Sequence, residues 1–336
     1  MKPDAMLQEV KVEDAIGMVL AHDLTQILPG TFKGRMFRKG HVITEEDIPA
    51  LLSIGKEHIY TLKLAEGYLH EDEAALRLAT AARGKHVELT QPHEGKITLK
   101  STIHGLAKIN KQLIDQVNSL DQIIMSTIRT NTVVQPGQAL MGTRVIPLVM
   151  EEARIEEAER IAAAGDGEPL VEVKPFRKLR VGIITTGSEV FKGRITDKFG
   201  PVVKQKVAAL GSEVVDQRLA PDESEVIVQE IHRFLHEDRV DLILVTGGMS
   251  VDPDDRTPGA IKQAGARIVS YGTPMLPGSM LLMGYLEGEV PIMGLPGCVM
   301  HDPYTSFDVL LPRICAGETI VRSDITEMGY GGLLGC

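Results

Sequence analysis

The chain has 336 residues, of which 43% are hydrophobic and 24% charged, and its formal net charge is −10 at pH 7. This composition is that of a globular protein long enough for two or three domains. The acidic balance excludes the basic footprint of a nucleic-acid binder, and the absence of Trp with 4% aromatic residues leaves few platforms for stacked bases.

Membrane and secretory classes are also disfavoured by the sequence. No apolar run is long enough to cross a bilayer, and the N-terminal residues lack the apolar core of a signal peptide. The three cysteines, Cys298, Cys315 and Cys336, are typical of reduced thiols. We therefore expect a cytoplasmic protein with neither nucleic-acid nor membrane partners.

Residues 1–64 are predicted to form a small α+β unit. Thr44 and Asp47 have the spacing of a variant capping box, which begins a helix that ends at Gly55. The apolar pattern predicts a turn and a strand over 14–21, a hairpin segment at 37–43 and a strand at 59–62.

Residues 65–175 are predicted to form a second α+β unit that ends in a linker near 163–177. A half-buried strand is predicted at 96–100, and Pro136-Gly137 predicts a hairpin over 132–140. An alanine-rich helix stopped by Gly84 is predicted at 71–83 and a charged helix at 150–164. Helical spacing of apolar residues predicts a third helix at 106–117.

From residue 178 onward, short apolar strands alternate with helices. This alternation predicts an α/β fold, a doubly wound and mainly parallel sheet over 178–316, followed by a C-terminal tail over 317–336. The predicted strands are 180–186, 213–217, 241–246, 266–271, 279–284 and 290–294, and the predicted helices are 201–210, 223–237, 258–264 and 302–314.

Three helix starts in this half have recognisable signals. Pro201 is predicted at the first position of its helix, which Gly211 closes. Asp222 is predicted to be the N-cap of the helix that follows it, and Thr257 the N-cap before Pro258.

One strand of this half ends in a pattern that favours ligand binding. The apolar run 242–246 is followed by Gly247-Gly248 and then by Asp252, Asp254 and Asp255. Ligands of open α/β sheets bind outside the carboxyl ends of the strands. Glycines let a phosphate approach the main-chain amides, and carboxylates hold hard cations. The alternative interpretation is a glycine turn with solvated acidic residues.

Several blocks in fixed order make the second half more specific than any single glycine motif. They are Val181-Gly182-Ile183-Ile184-Thr185-Thr186-Gly187-Ser188-Glu189, Asp197, Ala220-Pro221-Asp222-Glu223, Thr246-Gly247-Gly248-Met249-Ser250-Val251, Asp255-Arg256-Thr257-Pro258 and Leu295-Pro296-Gly297. In these blocks residues 178–316 resemble the molybdopterin-binding domain shared by molybdopterin adenylyltransferase and molybdopterin molybdotransferase, the molybdenum insertase. A weaker resemblance to the insertase covers 37–60.

The resemblance implies a role in molybdenum cofactor biosynthesis, with molybdopterin and a nucleotide as ligands and Mg²⁺ as the metal. It implies that Asp222 and Asp255 are catalytic carboxylates that position Mg²⁺ and the nucleotide. The residues implied to hold the cofactor are Thr186, Gly187, Ser188, Glu189, Asp197, Gly247, Gly248, Met249, Ser250, Pro296 and Gly297. The family also implies a homo-oligomer, a dimer or a trimer.

Departures from the family pattern leave the reaction open. Both lysines of the insertase loop are replaced in Leu276-Pro277-Gly278-Ser279-Met280, and Cys298 stands where the insertase has asparagine. The sequence favours a transferase of the adenylyltransferase or molybdotransferase type. The alternatives are a nucleotide pyrophosphate hydrolase of the competence-associated type and a non-catalytic molybdopterin carrier or sensor. Asp197 has a second possible role as a cap near a helix start, and Cys298 is either a small buried residue or, with His301, a soft ligand.

Overall fold

A computed structural model describes residues 7–28, 32–62, 64–165, 167–250 and 255–335. Asp252, Asp254 and Cys336 therefore lie outside the described residues. The chain divides into two compact units. The first comprises Met1–Ile103 and Ala107–Val173, and the second comprises His104–Leu106 and Lys174–Cys336.

Within its described residues, the first part of the chain consists of five small sheets and four α-helices. Its strands are β1 (Leu7–Lys11), β2 (Val19–Leu20), β3 (Leu24–Leu28), β4 (Phe32–Phe37), β5 (His58–Leu62), β6 (Tyr68–His70), β7 (Val87–Leu89), β8 (Lys96–Ser101), β9 (Gly105–Ile109), β10 (Ile123–Thr127), β11 (Thr132–Val134), β12 (Ala139–Val145), β13 (Val149–Glu151) and β14 (Val171–Pro175). Its helices are α1 (Ile48–Ser53), α2 (Glu71–Ala82), α3 (Lys111–Asn118) and α4 (Glu152–Ala163). The strand orders are β1-β5-β2, β3-β4, β13-β6, β10-β12-β8-β7 and β11-β9-β14.

Two predictions for this part were wrong, for reasons of tertiary pairing. The predicted helix over 106–117 is a strand, β9, followed by the helix α3, because apolar residues at helical spacing also fit a short strand and a turn. The hairpin predicted around Pro136-Gly137 does not form, since β11 and β12 belong to different sheets. The Thr44–Asp47 capping box is present, with the Thr44 N–H donating to Asp47 Oδ2 at 2.8 Å.

The second unit contains a six-stranded sheet of order β16-β15-β17-β20-β19-β18. The first four strands in this order are parallel, and β19 and β18 are antiparallel additions at one side. The strands are β15 (Arg180–Thr186), β16 (Glu213–Ala220), β17 (Leu242–Thr246), β18 (Arg267–Tyr271), β19 (Leu282–Tyr285) and β20 (Pro291–Leu295). This confirms the predicted α/β fold with a mainly parallel sheet.

Helices alternate with these strands and cover the apolar sheet. They are α5 (Ser188–Phe191), α6 (Phe199–Ala209), α7 (Ser224–His236), α8 (Thr257–Gln263), α9 (Ser306–Cys315) and α10 (Arg322–Glu327). The inner strand β17 is buried along its whole length, and Phe234 of α7 packs on β15 so closely that a Cβ at Gly182 would lie 2.6 Å from its ring. That close approach explains why a glycine interrupts the apolar run of β15.

Two of the predicted helix starts differ from the structure. Helix α6 begins at Phe199 rather than at Pro201, because Asp197 accepts hydrogen bonds from the first main-chain amides and so begins the helix earlier. Helix α9 begins at Ser306 rather than at 302, because Thr305 and Asp308 form a capping box there.

Candidate functional site

Three loops meet at the carboxyl edge of the parallel strands. One follows β15 at Gly187–Glu189, one follows β17 at Gly247–Ser250, and one follows β20 at Pro296–Gly297. Because β15, β17 and β20 are parallel neighbours, their carboxyl ends lie at the same edge of the sheet. The fold thus gathers the glycine motifs that are separated by more than a hundred residues in the sequence.

The Gly247-Gly248 turn lies against the end of β15. The two glycines have φ angles of +88° and +55°. A Cβ at Gly247 would lie 2.3 Å from the carbonyl oxygen of Thr186, and a Cβ at Gly248 would lie 2.9 Å from the Thr257 hydroxyl oxygen. Glycine is therefore required at Gly247 by backbone conformation and by space.

Thr257 fastens this turn instead of capping α8. The residue is fully buried at the first position of the helix, and its hydroxyl donates to the carbonyl oxygen of Gly247 at 2.9 Å. The same hydroxyl lies 3.2 Å from that of Thr186. The prediction that Thr257 is the N-cap was wrong, because Arg256 occupies that position and the threonine side chain faces the glycine turn.

Met249 contributes main chain rather than side chain to this loop. Its side chain is 5% exposed and packs on the sheet, where a Cβ at Gly294 would lie 2.6 Å from the Met249 sulfur. The Met249 carbonyl accepts a hydrogen bond of 2.9 Å from the Tyr271 hydroxyl. Burial and the nearby Asp255 carboxylate raise the pKa of Tyr271, so this donor keeps its proton at neutral pH.

Asp222, which follows β16, bonds to the loop after β15 rather than capping α7. Its Oδ2 accepts a hydrogen bond of 2.8 Å from the main-chain N–H of Ser188. The helix α7 has Glu223 at its N-cap position, so the predicted capping role of Asp222 was wrong. The carboxylate instead orders the loop after β15, next to the point where the Gly187 N–H donates to the Ala220 carbonyl.

Asp197 has the helix-start role that was one of its two predicted alternatives. Its Oδ1 accepts a 2.9 Å hydrogen bond from the Phe199 N–H, and its Oδ2 accepts bonds of 3.0 Å from the Gly200 N–H and 2.6 Å from Gln217 Nε2. Both oxygens are thus engaged within the protein.

A cavity of about 640 Å³ lies beside the glycine loops. It brings together seven of the predicted residues, which are Gly247, Gly248, Met249, Ser250, Asp255, Pro296 and Gly297. Thr186 contacts this group through Gly247, whereas Gly187, Ser188, Glu189, Asp197 and Asp222 are outside the lining. Of these, Glu189 is exposed to solvent.

Sequence reasoning missed part of the cavity wall. Asp302 was not singled out, and Leu276–Met280 was considered only for its missing lysines, yet both line the cavity, as does Gly335. The signal for the loop was its alignment with the insertase loop. No sequence signal marked Asp302, which lies in the segment between β20 and α9.

Cys298 lies in the cavity wall and is half-buried. The two predicted alternatives were a small buried residue and a soft ligand together with His301, and the observed position matches neither of them fully. Burial, with a smaller effect of the Asp302 carboxylate, raises the pKa of this thiol. His301, its predicted companion, is exposed. The thiol is therefore protonated at neutral pH and is a weak metal ligand in this state.

Charge in the cavity lining is acidic. Within the described ranges, the lining contains Asp255 and Asp302 but no lysine or arginine. Lys206, whose positive charge acts on the Cys298 thiol, forms an ion pair with Asp308 at 2.7 Å. The described residues contain no group of three or more His, Cys, Asp or Glu that could hold a metal ion.

Within the part of the chain that is described, none of the helices combines the length and the apolar character needed to cross a bilayer.

Comparison with known families places a domain on each half of the chain. Residues 182–315 match the family described as a probable molybdopterin binding domain. Residues 9–63 match a domain of unknown function, DUF8806.

The curated relatives that match this chain include molybdopterin molybdenumtransferases. The molybdopterin molybdenumtransferase of Synechococcus elongatus is 27% identical over 188 residues, which are 53% of this chain and 46% of the relative. That of Staphylococcus epidermidis is 23% identical over 305 residues, which are 86% of this chain and 66% of the relative. The matches thus span about half to two thirds of these relatives' lengths.

Solved structures of molybdopterin biosynthesis proteins also match. The enzyme MoaB from Thermus thermophilus has 25% sequence identity and a TM-score of 0.34, and the match covers 42% of this chain and 98% of that chain. The Mog protein from Mycobacterium ulcerans has 19% identity and a TM-score of 0.31, with coverage of 40% and 91%. By its match to the family model over residues 182–315, the second half of this chain carries a probable molybdopterin binding domain.

Proposed function

We propose that the second unit binds molybdopterin, or a nucleotide adduct of it, in the cavity at the carboxyl edge of its sheet. The observation that supports this most directly is the convergence of the Gly247–Ser250 and Pro296–Gly297 loops on one cavity inside the family-matched domain. A volume of about 640 Å³ is within the range of sites for a ligand of this size.

Main-chain groups supply most of the recognition in this proposal. Gly247, Gly248 and Gly297 have no side chains between the ligand and the main chain, which suits close approach of a phosphate or a pterin ring. The exposed Ser250 adds a hydroxyl that both donates and accepts. Ser188 lies outside the cavity lining and donates its main-chain N–H to Asp222, so in this proposal the loop after β15 contributes through the Ser188 hydroxyl alone.

Asp255 is the carboxylate we assign to a divalent cation. It lines the cavity, is half-buried and makes no side-chain hydrogen bond to another described residue. A Mg²⁺ ion held there would offset the negative charge of a phosphate group. Asp222 then acts as a positioning residue through Ser188 rather than as a metal ligand.

The reaction, if the site performs one, is a transfer in which positioning dominates. Phosphoryl and nucleotidyl transfer need aligned groups and charge neutralisation rather than a protein nucleophile. The acidic lining favours an alternative in which the protein carries the cofactor without reacting it, because no lysine or arginine of the described lining can hold molybdate.

Native mass spectrometry of protein purified from a host that makes molybdopterin tests ligand class directly. With Mg²⁺ kept in the buffers throughout purification, we expect a co-purifying pterin in the wild type and less of it in Asp255→Asn. A chain that carries no pterin from such a host, and binds none added to it, would contradict the proposal. Three activities then separate the alternatives: Mg²⁺-dependent adenylation of molybdopterin indicates transfer, cleavage of free nucleotides indicates a hydrolase, and binding alone indicates a carrier.

The assembly and compartment are part of the same proposal. We propose a cytoplasmic homo-oligomer, a dimer or a trimer, as the resemblance implies. Light scattering after size-exclusion chromatography measures the mass, and a monomer would contradict the oligomer.

A further inference from the structure

The end of the described chain lies against the loop that lacks the lysines. Leu276 forms a parallel bridge with Leu333, the Leu276 N–H donates to the Gly332 carbonyl at 2.8 Å, and the Leu334 N–H donates to the Leu276 carbonyl at 2.9 Å. Gly335, one residue further, lines the cavity beside Leu276–Met280. We name residues 332–335 the C-terminal strap.

Main-chain contacts, not burial of side chains, hold the strap. The side chains of Leu333 and Leu334 are 75% and 51% exposed. Gly332 by contrast is buried, and a Cβ there would lie 2.3 Å from the Met328 carbonyl oxygen and 2.6 Å from that of Pro274. Among the residues that are described, the attachment thus depends on two hydrogen bonds to Leu276 and on the lack of a side chain at Gly332.

The segment before the strap is firmly anchored. Ile320 and Ile325 are buried, and the Arg313 guanidinium is 2.7 Å from both Glu318 and Asp324. Asp324 also accepts the Val321 N–H at the start of α10. Weak attachment after a fixed anchor is the arrangement expected of a segment that opens locally while the fold stays intact.

We propose that the C-terminal strap is a movable wall of the cavity, which holds the Leu276–Met280 loop against the ligand when closed and uncovers the cavity when released. Its effect on molybdopterin rests on the proposed function, whereas its effect on access to the cavity does not. In this proposal the Leu276–Met280 loop recognises the ligand by its main chain and its shape, which suits the apolar and glycine residues found there.

The reactivity of Cys298 can be used to follow movement of the C-terminal strap in the absence of any ligand. This thiol lines the same cavity and is half-buried, whereas Cys315 is 0% exposed and has a pKa raised by burial to about 11. A difference in the alkylation rate of Cys298 between variants therefore reports a difference in access to the cavity, and a difference at Cys315 reports opening of the core. A Cys336→Ser background removes the remaining thiol.

The test compares Gly332→Ala, deletion of residues 332–336, and Tyr330→Ala in that background. Tyr330 has a fully exposed side chain just before the strap, so its truncation is the matched control. We expect both strap variants to alkylate Cys298 about tenfold faster, the change for losing hydrogen bonds of ordinary net strength. Cys315 should stay as slow as in the wild type, and Tyr330→Ala should match the wild type at both thiols.

Equal Cys298 rates in the wild type and the strap deletion would overturn the proposal, as would acceleration in Gly332→Ala alone. Co-purifying pterin is measured on the same samples, where we expect less of it in both strap variants. If the wild type carries no pterin but the difference in Cys298 rate is present, the proposed function fails and the movable wall is supported.

Discussion

Gly247 shows how one residue fixes the geometry of the candidate site. Its left-handed backbone and its approach to the Thr186 carbonyl leave no place for a Cβ, whereas a Cβ at Gly297, in the same cavity wall, would meet nothing within 4 Å. We expect Gly247→Ala to lower the free energy of unfolding by about 2 kcal/mol or more and Gly297→Ala to change it by less than about 0.5 kcal/mol. Urea denaturation measures both, and equal losses would show that the close approach is not what requires glycine.

Asp222 has a role that a conservative substitution can isolate. The structure gives it one hydrogen bond, from the Ser188 N–H, and an asparagine oxygen can accept the same bond. We expect Asp222→Ala to cost about 1–2 kcal/mol of stability and to weaken ligand binding, and Asp222→Asn to restore most of both. Calorimetric titration of both variants with molybdopterin, with and without Mg²⁺, measures the effect on ligand binding. Loss of the Mg²⁺ effect in Asp222→Asn would make this residue a metal ligand instead.

Sequence alone predicted the loops of the site better than the contacts of their side chains. The strand ends and glycine motifs locate Gly247, Gly248 and Gly297 at one edge of the sheet, which is where they lie. The same local reasoning assigned caps to Asp222 and Thr257, because an acidic or hydroxyl residue before a helix fits that role. Both side chains bond instead to loops after other strands, and such partners, distant in sequence, cannot be read from a helix start.

At the scale of elements, the start of α8 and the Gly247-Gly248 turn are joined by a hydrogen bond. Thr257 is the first residue of the helix and holds the Gly247 carbonyl, so the helix start sets the position of the glycine turn. We expect Thr257→Val to lower stability by about 1–2 kcal/mol, because the half-buried Gly247 carbonyl loses its donor, and Thr257→Ser to lose less. Thermal unfolding compares the two. A valine variant as stable as the serine variant would show that the hydroxyl is dispensable.

Alternation of strands and helices made the second-half sheet predictable. Five of its six strands were placed to within two residues at their starts, because each is a short apolar run bounded by helix or turn signals. In the first half, local signals such as the Thr44–Asp47 capping box fix individual helix starts but not which strands pair. There, pairing across sheets decided that β9 is a strand and that β11 and β12 do not form a hairpin, and neither choice is encoded in the local pattern.

For the molecule as a whole, charge is the property that most constrains the ligand. The chain has a net charge of −10, and among the residues that are described the cavity lining has two carboxylates and no cation. An anionic ligand alone is therefore repelled both by the whole molecule and at the site. Salt screens this repulsion over about 8 Å at physiological ionic strength.

The salt dependence of binding should consequently have an unusual sign. Without divalent cations, we expect the affinity for molybdopterin to increase as sodium chloride is raised, whereas a site lined with lysines would lose affinity. Mg²⁺ should raise the affinity and flatten the salt dependence, because it neutralises Asp255 together with the ligand phosphate. Asp255→Asn is the informative variant: it should bind better than the wild type without Mg²⁺ and gain less when Mg²⁺ is added. Calorimetric titrations across a salt series measure these effects, and an affinity that falls with salt in the absence of Mg²⁺ would mean that cations outside the described lining hold the ligand.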